Sequence, residues 1–190
     1  QVIPAVAVGC PVIVKPAGST PLSCLSLVKC LYESGLPEEW CQALICENNI
    51  AEKILTDSRV SFFTFIGSGA VGWKLHSKLA PGTRCALEHG GAAPVIVDYD
   101  ADLEDSLPLL AKGGFYHAGQ VCVSVQKVYV HESIADEFSR KLVKMAEKLV
   151  VGDPLSEKTE VGPLIREKEV ERVDQWVQEA KKEGGKILTG

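Results

Sequence analysis

The stretch Val60-Ser-Phe-Phe-Thr-Phe-Ile-Gly-Ser-Gly-Ala-Val-Gly72 (VSFFTFIGSGAVG) decides the fold class. Its first seven residues form a run rich in aromatic and β-branched side chains, which is typical of a β-strand. Small residues from Gly67 to Gly72 follow at once, and a helical pattern begins directly after them. A strand that ends in glycines and leads into a helix predicts a βα unit.

The same order of strand and helix recurs on both sides of this stretch. Further strands are predicted at 12–15, 41–46, 85–88, 94–98 and 127–131, and helices at 20–35, 49–55, 100–115, 133–150 and 165–182. We expect Thr20 and Ser133 to cap two of these helices. Alternating strands and helices predict the α/β class, with parallel strands and helices packed on the faces of the sheet.

The pair Gly90-Gly91 interrupts the pattern, which then starts again. We therefore predict two domains, 1–89 and 90–190.

Composition and charge exclude several classes of protein. The net charge is −5 and the isoelectric point about 5.4, without a long basic run, which argues against nucleic-acid and anionic-membrane partners. No run of 18 apolar residues occurs, and the apolar first residues lack the basic start of a signal peptide. The seven cysteines include no CxxC pair, so neither a zinc site nor a disulfide framework is indicated, and we expect a cytoplasmic protein.

The chain begins with Gln1, has Met145 as its one methionine and ends in KILTG, where a strand is expected to begin. We therefore expect an internal fragment of a longer protein.

Residues 67–72 match the pattern G-x-G-x-x-G. Such small residues let the backbone amides at a helix N-terminus approach a pyrophosphate, although the same sequence can form a tight turn without a ligand. In the usual dinucleotide template an acid about 20 residues further on holds the ribose, and Glu88 stands near that distance.

Two other patterns are weaker. The acidic residues of Asp98–Asp102 resemble the start of a calcium loop, but Leu103 stands where glycine is needed, so we predict a helix cap and no metal site. The proximity of His117 to Cys122 could indicate a Cys-His hydrolase, but such enzymes pair these side chains in space rather than in sequence. Most cysteines are small buried side chains, which is what we expect of the other six.

Four motifs in order, KPAGSTPLS, FTFIGSGAVG, LEHGG and GQVC, resemble the aldehyde dehydrogenase superfamily, and VVGDP and VGPLI extend the similarity towards the C-terminus. The resemblance implies a partial Rossmann-like cofactor domain over 1–89 and the start of an α/β catalytic domain over 90–190. It also implies oxidation of an aldehyde to a carboxylic acid with NAD or NADP.

The resemblance assigns Cys122 as the nucleophile and Glu88 as the general base. The thiol would attack the aldehyde carbon, and Glu88 would activate the water that hydrolyses the resulting thioester, a task that suits a carboxylate whose pKa burial has raised. Glu88 is then not the ribose ligand, and its presence favours hydrolysis over transfer to coenzyme A.

The resemblance also assigns the cofactor-binding residues, which are Lys15, Pro16, Ala17, Gly18, Gly67, Ser68 and His89. Members that prefer NAD often have Glu where this chain has Gly18, so NADP is slightly favoured. His89 and His117 replace the usual leucine and the frequent asparagine, which alters the expected surroundings of the nicotinamide and the thiol.

By the same resemblance, an oxyanion asparagine lies before Gln1, and an acid that holds the nicotinamide ribose lies after Gly190. We therefore expect the isolated 190 residues to be poorly active and the full-length protein to form a homo-oligomer. The alternative is a non-catalytic, truncated chain on this fold that binds a dinucleotide or a protein partner.

Overall fold

The computed structural model describes all 190 residues, which divide into two compact units, Gln1–His89 and Gly90–Gly190. Both units alternate helices with parallel strands, so the predicted α/β class is confirmed. The assignment of one unit to cofactor binding and of the other to catalysis stays a prediction. None of the helices combines the length and the apolar character that crossing a bilayer requires.

The first unit contains four helices and four strands. In chain order they are α1 (Val2–Ala7), β1 (Val12–Val14), α2 (Leu22–Glu33), β2 (Cys41–Ala43), α3 (Asn48–Leu55), β3 (Phe62–Ile66), α4 (Gly69–His76) and β4 (Arg84–Glu88). A 3-10 turn over Glu38–Trp40 leads into β2.

The strands of this unit form two separate parallel pairs, β1 with β2 and β3 with β4, where the sequence predicts one sheet. The pairing places Val12 opposite Cys41 in the first pair and Ile66 opposite Glu88 in the second. Strand existence follows from local patterns, whereas partner choice depends on contacts between residues that are far apart in sequence.

The second unit contains β5 (Pro94–Val97), α5 (Leu103–Phe115), β6 (Lys127–Val130), α6 (Ala135–Ala146) and α7 (Glu167–Lys182), with β5 and β6 parallel. Its core is a cluster of buried apolar side chains from β5, α5 and α6, namely Val97, Leu103, Leu107 and Phe138. This packing fixes the C-terminal end of α5, from which the chain runs into the segment that carries Cys122.

Helix starts agree only in part with the capping signals. Asp102 caps α5, because its carboxylate accepts hydrogen bonds from the amides of Glu104 and Asp105 at 2.9 and 3.2 Å. The predicted cap Thr20 is wrong: no side chain caps α2, whose N-cap residue is Pro21 in a helical conformation.

The predicted cap Ser133 is also wrong. The amide of Ser133 donates to the His131 ring, a 3-10 turn over Glu132–Ile134 follows, and only then does α6 begin.

Candidate active site

The carboxyl ends of β3 and β4 bring together four of the residues predicted to be functional. Because Ile66 lies opposite Glu88 in this parallel pair, the residues that follow both strands leave the sheet at the same edge. The amide of Gly67 donates a 3.0 Å hydrogen bond to the Glu88 carbonyl. Gly67, Ser68, Glu88 and His89 therefore occupy one edge of one strand pair.

Ser68 forms the start of α4. It is the N-cap residue, and its hydroxyl accepts from the Val71 amide at 3.4 Å. The first amides of α4 thus face the turn that follows β3, and the positive end of the helix dipole lies there. This donor set suits an anionic group such as a pyrophosphate.

His89 packs against α4. A Cβ atom on Gly72 would lie 2.3 Å from His89 Nε2, and one on Gly69 would lie 3.6 Å from His89 Nδ1, so α4 can approach the ring only with glycines at these positions. The ring also makes an edge contact with Trp73 at a centroid distance of 5.8 Å. His89 Nε2 is buried and has no hydrogen-bond partner.

A cleft of about 300 Å³ opens on the same unit, lined by Trp73, His76, Cys85, Leu87 and His89. His89 is the only predicted cofactor residue in its lining. Burial raises the pKa of the Cys85 thiol, which keeps that sulfur protonated and unreactive.

The residues Lys15 to Gly18 follow β1, which belongs to the other strand pair of the unit. The Lys15 ammonium group donates to the Pro16 carbonyl at 3.0 Å. Pro16 is buried, while Ala17 and Gly18 are exposed, and a Cβ atom on Gly18 would meet no atom within 4 Å. The pattern therefore reserves no packing reason for glycine at position 18.

Glu88 is exposed, and its carboxylate makes no hydrogen bond or ion pair. The burial that would suit a general base is thus not supplied by the first unit. Glu88 lies in that unit and Cys122 in the second, so their joint action stays a prediction.

Cys122 lies in a turn between the end of α5 and β6, and its side chain is exposed. Three consecutive residues just before it, His117, Ala118 and Gly119, have φ angles of 50°, 54° and 73°. Side chains other than glycine rarely adopt this left-handed region, and such backbone concentrates at functional sites.

The chain after Cys122 is anchored to α5. The Ser124 amide donates to the Val121 carbonyl, and the Val125 amide donates to the Gly113 carbonyl, each at 3.0 Å. Ser124 is 1% exposed, and its hydroxyl is buried without a partner. These contacts hold the turn while leaving the thiol accessible.

Sequence reasoning assigned no role to Gln120, which the structure shows bonded on both sides of its amide group. The GQVC motif contains this residue, and its fixed place two positions before the cysteine was the available signal. Exposure alone does not single out Cys122, because Cys10 and Cys30 are exposed too; all seven cysteines are free.

Comparison with known proteins gives one consistent result. The profile described as the aldehyde dehydrogenase family matches residues 1–190. The chain is 46% identical over 188 residues to 3-sulfolactaldehyde dehydrogenase of Priestia megaterium, an alignment that covers 98% of this chain and 39% of that protein.

Two solved structures are also similar. A glyceraldehyde-3-phosphate dehydrogenase from Methanocaldococcus jannaschii, complexed with NADP, superposes with a TM-score of 0.93 at 39% identity, covering 100% of this chain and 42% of that one. Betaine aldehyde dehydrogenase from Staphylococcus aureus, in complex with NAD⁺, gives 0.92 at 30% identity, covering 100% and 38%. The chain spans about two fifths of the length of the relatives it matches.

Proposed function

This chain belongs to the aldehyde dehydrogenase family, and from that premise we propose that its protein oxidises an aldehyde to a carboxylic acid with NAD⁺ or NADP⁺. The match of the family over all 190 residues is the observation that carries the proposal. The exposed Cys122 in its strained turn supports it, because a nucleophile must be reachable by substrate and held in place.

In the proposed mechanism the Cys122 thiolate attacks the aldehyde carbon and forms a thiohemiacetal, whose oxyanion accepts the Cys122 backbone N–H. The bound dinucleotide accepts the hydride, which leaves an acyl thioester on Cys122. Glu88 then takes a proton from water as that water attacks the thioester, so the carboxylic acid leaves and the thiol is regenerated.

The cofactor is proposed to bind along the first unit. The amides at the start of α4, with Gly67 and Ser68, fit the charge of a pyrophosphate. Lys15 and the segment Pro16–Gly18 would lie along the adenosine ribose, and His89 would lie near the nicotinamide. Because Gly18 brings no carboxylate to repel a 2′-phosphate and Lys15 brings a positive charge, we favour NADP over NAD.

The cofactor proposal is tested by the Michaelis constants of the full-length protein for NAD⁺ and NADP⁺. We expect a KM for NADP⁺ equal to or below that for NAD⁺, and Gly18→Glu should raise the KM for NADP⁺ selectively. A tenfold preference of the unaltered protein for NAD⁺ would contradict the assignment.

The catalytic proposal is tested with Cys122→Ala and Glu88→Gln in the full-length protein. Cys122→Ala should abolish aldehyde oxidation, whereas Glu88→Gln should release one NAD(P)H per site in a burst and then stall as the thioester. Cys30→Ala removes another exposed thiol and is the matched control, expected to retain full activity. Unchanged steady-state turnover in Glu88→Gln would exclude Glu88 as the base.

The non-catalytic alternative makes a different prediction. A chain that only binds a dinucleotide or a partner needs no reactive thiol at position 122. Iodoacetamide should modify Cys122 faster than Cys10 and Cys30 if the protein is an enzyme, while equal rates at the three exposed thiols would favour the alternative. The homo-oligomer and the cytoplasmic location stay predictions.

A further inference from the structure

We infer that Gln120 is a positioning residue that ties the turn carrying Cys122 to the segment Pro163–Ile165. The inference rests on the proposed function, since it assigns to Gln120 the task of holding the nucleophile. It also gives a physical role to the VGPLI motif at 161–165, for which the proposed chemistry has no use.

The Gln120 side chain uses both ends of its amide group. Nε2 donates to the carbonyl of His117 at 2.9 Å and to that of Pro163 at 3.3 Å, while Oε1 accepts from the amide of Ile165 at 2.9 Å. Only a carboxamide of this length combines two donors with an acceptor at these positions. The side chain therefore bridges two segments that lie more than 40 residues apart in sequence.

The turn that Gln120 holds is strained. His117 and Ala118 both lie in the left-handed region, and such conformations persist only where their surroundings fix them. The His117 carbonyl accepts from the Gln120 side chain and also from the Gln120 amide at 3.1 Å. Both hydrogen bonds close the left-handed turn on the side that precedes Cys122.

The segment on the other side of the bridge is itself fixed. Val161 forms a parallel bridge with Val151, and its amide donates to the Val150 carbonyl at 3.1 Å. The Gly152 amide returns a hydrogen bond to the Val161 carbonyl at 3.1 Å. Gln120 therefore attaches the turn to a braced support rather than to a free loop.

Cys122 thus lies between two anchors. Gln120 holds the chain two residues before it, and the hydrogen bond from the Val125 amide to Gly113 holds the chain three residues after it. Loss of the first anchor should let the sulfur move relative to the carbon it attacks, and a misplacement of about 1 Å can cost on the order of 100-fold in rate.

The test compares Gln120→Leu with Gln126→Leu in the full-length protein. Gln126 is the matched control, because it is also an exposed glutamine near Cys122 and its side chain donates one 2.9 Å hydrogen bond, to the Gly91 carbonyl. We expect Gln120→Leu to lower kcat at least tenfold with the aldehyde KM changed less than threefold, and Gln126→Leu to keep both within threefold.

A second readout separates positioning from general loss of stability. In Gln120→Leu, the amide hydrogens of Ile165 and of residues 117–122 should exchange at least tenfold faster, while those of the α5–α6 core stay protected. Gln120→Glu keeps the acceptor for the Ile165 amide and loses both donors, so its kcat should lie between those of Gln120→Leu and the unaltered protein.

Failure of the inference and failure of the proposed function give different results. If Glu88→Gln accumulates a thioester on Cys122 but Gln120→Leu keeps kcat within threefold, the positioning role is overturned and the function stands. Uniformly faster exchange throughout the second unit would also overturn it. If no thioester forms on Cys122, the proposed function and the inference fall together.

Discussion

Gly72 shows how a single residue can be required by packing rather than by backbone conformation. Its φ angle is ordinary, but the space where a Cβ atom would sit is occupied by the His89 ring at 2.3 Å and by Phe65 at 3.2 Å. Both neighbours belong to the β3–β4 pair, so this glycine allows α4 to lie directly on the strands.

We expect Gly72→Ala to destabilise the protein by about 1–3 kcal/mol, because a methyl group there must displace the His89 ring. Gly90→Ala is the control, since a Cβ atom at that position meets nothing within 4 Å and should change the free energy of unfolding by less than about 1 kcal/mol. Denaturant unfolding measures both. The double variant Gly72→Ala/His89→Ala should recover part of the loss, and equal stability of Gly72→Ala and the unaltered protein would contradict this packing.

Ser124 leads to the opposite expectation. Its buried hydroxyl has no hydrogen-bond partner, and an unsatisfied buried polar group costs about 1–3 kcal/mol. Ser124→Ala should therefore raise the free energy of unfolding by up to about 1 kcal/mol, after loss of the contacts of the removed oxygen. Ser34→Ala is a suitable control, because the Ser34 hydroxyl is exposed and donates to the Cys30 carbonyl. A loss of stability in Ser124→Ala would show that the hydroxyl has a partner.

At the scale of elements, sequence patterns predicted existence and type well and exact ends less well. The strand predicted at 94–98 is observed as β5 and that at 127–131 as β6, because short β-branched runs bounded by turn residues have few other solutions. The run Cys41–Cys46 yields only three strand residues, since β1 offers three partners. Strand length here is set by the partner, which the local sequence does not contain.

Caps provide a test in which the sequence and the structure disagree. Asp102 accepts two amide hydrogen bonds at the start of α5, whereas Thr20 makes no cap contact at the start of α2. Asp102→Ala should cost about 1 kcal/mol of stability, and Thr20→Ala less than about 0.5 kcal/mol. Thermal unfolding of the two variants distinguishes these outcomes, and equal losses would restore the capping role that the sequence suggests for Thr20.

The candidate site was predictable where motifs carry the chemistry and unpredictable where geometry does. The glycines at 67–72 and the Glu88–His89 pair could be placed at one strand edge from the order of elements alone. The left-handed run at 117–119 could not, because alanine and histidine give no signal for that backbone conformation. The bridge made by Gln120 joins segments distant in sequence, so no local pattern contains it.

At the scale of the whole molecule, stability should depend on alkaline pH through a buried thiol. Cys41 is fully buried, and this burial raises the pKa of its thiol, with the nearby Cys24 adding to the effect. A raised pKa favours the neutral thiol in the folded state. Its contribution is therefore complete below the unfolded pKa of about 8.5 and is lost as the pH rises through the folded value.

We expect the free energy of unfolding to fall as the pH rises above about 8.5, and Cys41→Ala to reduce that slope. Cys10→Ala, which removes an exposed thiol, should leave the slope unchanged. The Tyr32 hydroxyl donates to the Cys41 carbonyl, and burial raises its pKa as well, so part of the decline at still higher pH belongs to Tyr32. A slope identical in all three proteins would exclude Cys41 as its source.

The central claim is that Cys122 carries the acyl group during aldehyde oxidation. Its most direct test is peptide mass spectrometry of full-length Glu88→Gln protein after incubation with an aldehyde that the unaltered protein oxidises and with NAD⁺ or NADP⁺. We predict one acyl adduct, confined to the peptide that contains Cys122 and absent without the dinucleotide. An adduct on any of the other six cysteines, or none while NAD(P)H is still formed, would contradict the claim.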